Sequence, residues 1–174
     1  MIRIEQVRRE QAGAFWKLRL EALKSHPEAF GSSYEEQAGT PMHEVELKIN
    51  TEPGNYILGA FTGKNELVGI AGFRREQAIK MSHKGMIWGV YVSPGSRGQG
   101  IAGKLMREIL LRGEELEGLR QIQLAVVTTN LSAAALYKKL GFVTYGIEKD
   151  ALRVQGQTYD EELMAYYYER YRLN

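Results

Sequence analysis

Apolar and polar positions change period several times along the chain, and the changes mark out its elements. Residues 2–7 alternate apolar and polar, which predicts a short strand. From Gln11 to about Ser25 the apolar positions Phe15, Leu18 and Ala22 fall three and four apart, as on a helix, and His26-Pro27 ends it. Ala29 to Thr51 is polar and mixed, with a second helix predicted near Met42 to Ile49; a substrate-facing segment has this character. Two apolar runs, Tyr56 to Phe61 and Leu67 to Phe73, flank Thr62-Gly63-Lys64-Asn65-Glu66, whose turn residues predict a hairpin. Met86 to Val92 is apolar almost throughout, the pattern of a central strand covered on both faces.

Beyond Ser93-Pro94-Gly95 lies a glycine-rich loop, followed by Ile101, Ala102, Leu105, Met106, Ile109 and Leu110 on one helical face that ends near Gly118. Gln121 to Val127 reads as a strand. Asn130 or Ser132 caps a short helix that Gly141 closes, and Phe142 to about Arg153 and Glu161 to Tyr168 are the last strands. The order β-α-(α)-β-β-β-α-β-α-β-β predicts an α/β fold, a mixed sheet with helices packed on it. No repeat or linker interrupts it, so residues 1–174 are expected to form a single domain. The aromatic tail, Tyr166 to Tyr168 with Tyr171, either closes the sheet, the favoured alternative, or lines a homodimer contact.

Composition narrows the chemistry. The chain has 174 residues, 44% of them apolar, enough to bury one core. Its 23 lysines and arginines against 21 acids give a net charge of +2, which makes no case for a nucleic-acid partner or an anionic membrane surface. With no signal-like or membrane-spanning apolar run, a cytoplasmic location is expected. Cysteine is absent, which excludes disulfides, thiolate metal sites and a cysteine acyl-enzyme. His26, His43 and His83 lack metal-ligand spacing, so no metal is expected.

The segment from Val90 to Gly103 runs strand, turn, glycine loop, helix, an arrangement that suits an anion. Glycines let the backbone approach a ligand, and the unpaired N–H groups at a helix start attract phosphate. A tight connection that needs small residues only for packing is the plainer alternative. Gly98-x-Gly100-x-x-Gly103 also matches the dinucleotide fingerprint, but the strand Gln121 to Val127 runs into Thr128-Thr129-Asn130 where an acid should hold the ribose. A Walker loop fails because Leu105 follows Gly103-Lys104 where a hydroxyl residue is needed.

Arg97-Gly98-Gln99-Gly100-Ile101-Ala102 matches R/Q-x-x-G-x-G/A, the pyrophosphate signature of the GNAT superfamily of acetyl-CoA-dependent N-acetyltransferases. Asn130 to Phe142 resembles the family's second block, N-x-x-A-x-x-L-Y-x-x-x-G-F, and the match covers roughly residues 86–146. The resemblance implies a mixed, mostly antiparallel sheet flanked by helices, with a splay between the strands at 86–92 and 121–127. It also implies acetyl-CoA as donor and a small-molecule or peptide amine as acceptor. The main chain of Val90, Tyr91 and Val92 would pair with the pantetheine arm, and the loop from Arg97 through Gly98, Gln99, Gly100, Ile101 and Ala102 to Gly103 would hold the pyrophosphate. Asn130 and Tyr137 would approach the thioester, Tyr137 as the acid that protonates the leaving thiolate; a plain helix cap and a core tyrosine are the alternatives.

Transfer to a primary amine needs no protein nucleophile, because the amine attacks the thioester directly in a ternary complex. The amine is mostly protonated at neutral pH, so its proton must be taken. Many family members carry a glutamate where this chain has Met86, which leaves Glu76, His83, Glu35, Glu36, Asp160 and Glu161 as candidate bases, none of them singled out. A non-catalytic acyl-CoA sensor is the rival class, favoured by Met86 and disfavoured by Tyr137. A dinucleotide oxidoreductase is a more distant one.

Overall fold

A computed structural model describes residues 1–171. The elements are β1 (Arg3–Gln6), α1 (Ala12–Ser25), α2 (Tyr34–Gln37), α3 (Met42–Lys48), β2 (Thr51–Glu52), β3 (Asn55–Phe61), β4 (Leu67–Arg75), β5 (Lys84–Val92), α4 (Ile101–Glu115), β6 (Gln121–Val127), α5 (Leu131–Lys139), β7 (Val143–Val154) and β8 (Gln157–Tyr167). Two were not anticipated. The short helix α2 is held by a reciprocal cap between Ser33 and Glu36, and the two-residue β2 pairs with β3. β8 begins four residues before the expected Glu161, because Gln155 and Gly156 at positive φ make a tight turn that extends the hairpin.

The sheet order is β1-β3-β4-β5-β6-β8-β7, with every pairing antiparallel except β5 with β6. That single parallel pairing spans only Lys84↔Gln121, Gly85↔Ile122 and Met86↔Gln123. From there β5 continues to Val92 and β6 to Val127 without pairing, so the two central strands splay apart as expected. A doubly wound parallel sheet is ruled out, and with it the setting a dinucleotide fingerprint requires.

Helices cover both faces. Ile101, Leu105, Met106 and Ile109 of α4 pack with Leu58, Phe73, Ile87, Leu124 and Met164 in one core, which α5 joins through Ala134 and Tyr137. On the other face Phe15, Trp16, Leu18 and Ala22 of α1 pack with Val45 of α3 and with Ile57, Ile70 and Tyr91. Tyr168 closes the first core, 2% exposed with its hydroxyl donating to the Leu110 carbonyl at 2.8 Å, so this part of the tail closes the sheet. β5 is central but less covered than its apolar run suggests. Trp88, Gly89, Val90 and Val92 are only partly buried, because β6 has left their edge.

A bulge at Gly89 re-aims β5 at the splay. Gly72 pairs with Trp88 while Ile70 pairs with Tyr91, so β5 carries one extra residue against β4, and Gly89 takes φ +64°. Trp88 and Tyr91 therefore face α1, and Ile87 and Val90 face α4. No helix among the described residues is long and apolar enough to cross a membrane.

Candidate active site

The glycine loop adopts its turn for a backbone reason. Gly98 and Gly100 sit at φ +76° and +70°, and a Cβ at either would meet nothing within 4 Å. Packing therefore does not require glycine here, whereas the left-handed backbone does, and the space in front of the loop is open. Gly100 is the N-cap of α4, which begins with no side-chain cap, so its first N–H groups have no partner from the capping residue. Gly103 differs. A Cβ there would lie 3.3 Å from Arg107 Nη1 and 3.5 Å from Leu136, so this position is small to let α4 approach α5.

Between the splayed strands and the starts of α4 and α5 lies a cleft of about 730 Å³. Val90, Tyr91, Val92, Arg97, Gly98, Gly100, Ile101, Ala102, Gly103, Asn130 and Tyr137 all line it. Gln99 stands between the two left-handed glycines with its side chain exposed outside the lining, so only its main-chain amide is left to face a ligand there. A larger cleft of about 1140 Å³ lies at the other end of α4, around Tyr56, Glu108 and Arg112, and holds none of these residues.

Arg97 is tethered. Its Nε donates to the Val92 carbonyl at 3.0 Å, its Nη2 lies 3.1 Å from His26 Nε2, and its guanidinium stands over the Tyr91 ring. Asn130 caps α5, its Oδ1 accepting from Ala133 N at 3.3 Å, so the plain cap is real and does not remove Asn130 from the cleft wall. Tyr137 is 6% exposed, yet its hydroxyl has no hydrogen-bond partner among the described residues and is not sealed from solvent. Burial pushes its pKa up to about 12. A core tyrosine held by a buried partner would look different.

The model of the Acetyltransferase (GNAT) family matches residues 20–142. The chain belongs to the GNAT acetyltransferase family. It is 34% identical over 140 residues to a mycothiol acetyltransferase of Streptomyces scabiei, covering 78% of this chain and 41% of that protein. Against the N-alpha-acetyltransferase RimI of Mycobacterium tuberculosis it is 35% identical over 107 residues, 60% of this chain and 62% of that one. The chain thus spans less than two thirds of either relative. A GNAT-family acetyltransferase structure from Streptococcus pneumoniae superposes with a TM-score of 0.84 at 22% identity, covering 96% of this chain and 99% of that one. The GNAT fold is shared along nearly the whole length.

Within this GNAT cleft the structure adds groups that no motif marked. Arg107 and Lys139 line it beside the glycine loop and bring positive charge to a site suited to phosphate. Arg107 could have been found four residues after Gly103 on the same helix face. His26, Glu28, Ala29 and Phe30, from the turn after α1, close the opposite wall, and their irregular sequence gave no signal.

The candidate bases separate. Glu76 and His83 sit at the paired end of β5, where the His83 carbonyl accepts from Arg120 N at 2.7 Å, and neither lines the cleft. Glu36 serves the cap of α2, and Glu35 is exposed on the same short helix. Asp160 accepts from Asp150 N at 2.9 Å and Lys149 Nζ at 3.0 Å; these bonds hold its carboxyl below the usual range and make it a poor base. Glu161 stands apart. It does not itself line the cleft but pairs in register with Val127, which does, and burial first, then Glu148 opposite, raises its pKa. Glu162, its neighbour, reaches Lys138 of α5 at 3.0 Å, so by strand alternation Glu161 faces the α1 side of the splay.

Proposed function

We propose that this chain is an N-acetyltransferase that uses acetyl-CoA to acetylate a primary amine by direct attack within a ternary complex. The observation that carries the proposal is the cleft itself, in which the left-handed glycine loop, the unpaired edge of β5 and the unpartnered Tyr137 hydroxyl share one wall. The residues present suit the donor. Amides from Gly98 to Gly103, aided by Arg107 and Lys139, would hold a pyrophosphate, and the main chain of Val90 and Tyr91 is free of β6 to pair with an extended arm. Val92 gives its carbonyl to Arg97 instead.

The donor supplies an activated thioester carbonyl. The amine nitrogen forms the new C–N bond, the C–S bond breaks, and two proton movements remain for the protein. Glu161, its pKa raised by burial, takes the proton from the ammonium side; Tyr137, protonated at neutral pH, gives one to the departing sulfur. No covalent enzyme intermediate is needed, in keeping with a chain without cysteine. The test is release of free CoA thiol from acetyl-CoA across a panel of amines. Acetyl-CoA binding with no release for any amine would favour the acyl-CoA sensor instead.

A further inference from the structure

Helix α1 carries one charged side chain into the interior. Arg19 is 8% exposed, its Nη1 is buried with no hydrogen-bond partner, and no carboxylate oxygen of the described residues lies within 4.0 Å of it. Its guanidinium carbon sits 5.3 Å from the Phe30 ring centroid and 5.6 Å from that of Trp88. Ring faces offset part of the cost of burying a cation, but they accept none of its N–H groups in the plane. Burial accordingly lowers the Arg19 pKa. A leucine or methionine would fill the same space without this penalty, so the charge is retained against stability.

Its position is informative. Trp88 and Gly89 lie on the part of β5 beyond Met86, where β6 has parted from it, and Phe30 lines the cleft. At the bulge, partly exposed Gly89 lacks the Cβ that would stand 3.1 Å from Arg19 Nη1. The guanidinium therefore adjoins one residue of the cleft wall and two of the unpaired stretch of β5, on the α1 face of the sheet and just behind the residues that line the cleft. The glycine loop, by contrast, leads into α4 on the other face.

We propose that Arg19 binds a carboxylate carried by the acceptor, so that the substrates are amines bearing a carboxylate near the nucleophilic nitrogen, amino acids among them. The proposal rests on the acetyl-transfer reading above. The guanidinium lies over two rings that accept none of its in-plane N–H groups, and a planar carboxylate matches that fork with two parallel hydrogen bonds. Glu28 on the cleft wall and Glu161 on the same face of the sheet supply the opposite charge for the ammonium end. A purely cationic acceptor would leave Arg19 unpaired.

The test begins with calorimetry of acetyl-CoA, since absence of binding would remove the acetyl-transfer reading itself. With binding in hand, CoA release is compared between α-amino acids and their carboxamides, whose amines are less protonated, so that any intrinsic bias runs against the proposal. Carboxylates should be preferred by about 10-fold or more in kcat/KM, mainly through KM. Arg19→Met should erase the preference, and Arg19→Lys should restore part of it. Equal use of both partners, or a preference that survives Arg19→Met, overturns the proposal.

A second readout needs no turnover. Trp16→Phe leaves Trp88 as the sole indole, and it breaks no hydrogen bond, since the Trp16 indole N–H has no partner among the described residues. In that background amino acids should shift Trp88 emission saturably and carboxamides should not. No response to any carboxylate, or tighter binding of inorganic phosphate, rejects the assignment. If Arg19 were merely structural, Arg19→Met would lower Tm and leave the carboxylate ratio untouched; the proposal expects Tm to hold or rise.

Discussion

Replacing Tyr137 by phenylalanine removes one oxygen and one proton from the cleft wall. The hydroxyl bonds to no described residue, so the substitution breaks no protein hydrogen bond, and stability at neutral pH should change by less than about 0.5 kcal/mol. A tyrosine satisfying a buried partner would cost about 1–3 kcal/mol. Turnover should behave oppositely. Loss of a general acid lowers kcat by roughly 10- to 10⁴-fold while leaving acetyl-CoA affinity nearly constant. Alkaline pH gives an independent check. Burial lifts the pKa from its ordinary value of 10.0 to about 12 in the folded protein, so the native state holds this proton more tightly than the unfolded chain. The resulting stabilisation is complete below pH 10 and lost as pH rises towards 12; two units correspond to about 3 kcal/mol. Denaturant unfolding of both proteins at pH 7 and at rising pH, with kcat measured on the same preparations, tests all three statements. The variant should lose stability less steeply above pH 10. A destabilised but fully active Tyr137→Phe protein would refute the general-acid role.

Gly100→Ala meets open space but a φ of +70°, so it should cost about 1–2 kcal/mol of stability and weaken acetyl-CoA binding moderately, whereas Gly100→Glu should abolish binding in calorimetry with the fold kept. Glu161→Gln should lower kcat and remove the acidic limb of the rate profile, which in the parent lies above the ordinary glutamate range; Glu148→Gln should move that limb down by removing the like charge. Because the folded pKa of Glu161 is raised, its ionisation opposes folding as pH rises, and Glu161→Gln should be no less stable than the parent at pH 7, as read by Tm. Asp160→Asn should leave kcat within a few-fold, since its carboxylate is already committed to Asp150 and Lys149; an inactive, folded Asp160→Asn protein would reverse the assignment of the base.

What the sequence determined by itself is local. The 3.6-residue spacing of Phe15, Leu18 and Ala22 and of Ile101, Leu105 and Ile109 specifies two helices and their buried faces. Glycines 98 and 100 announce a left-handed loop before a helix, because few other residues accept that backbone, and Asn130 announces the start of α5. These are contacts between near neighbours in the chain, so composition and spacing carry them.

Tertiary structure decided what depends on residues far apart. The apolar run of β5 reads as fully covered, yet how far β6 follows it rests on a pairing 37 positions away, which stops at Met86↔Gln123. Asp160 and Glu161 are adjacent acids in the sequence and equivalent there. In the fold one is held ionised by the Asp150 amide and Lys149, while the other is half-buried on β8 opposite Glu148. Arg19 looks like any arginine on an amphipathic helix; only the convergence of Phe30, Trp88 and the bulge at Gly89 buries it with its Nη1 unpartnered among the described residues. Burial and electrostatic environment are set by packing between distant segments, and a one-dimensional pattern does not encode which segments meet.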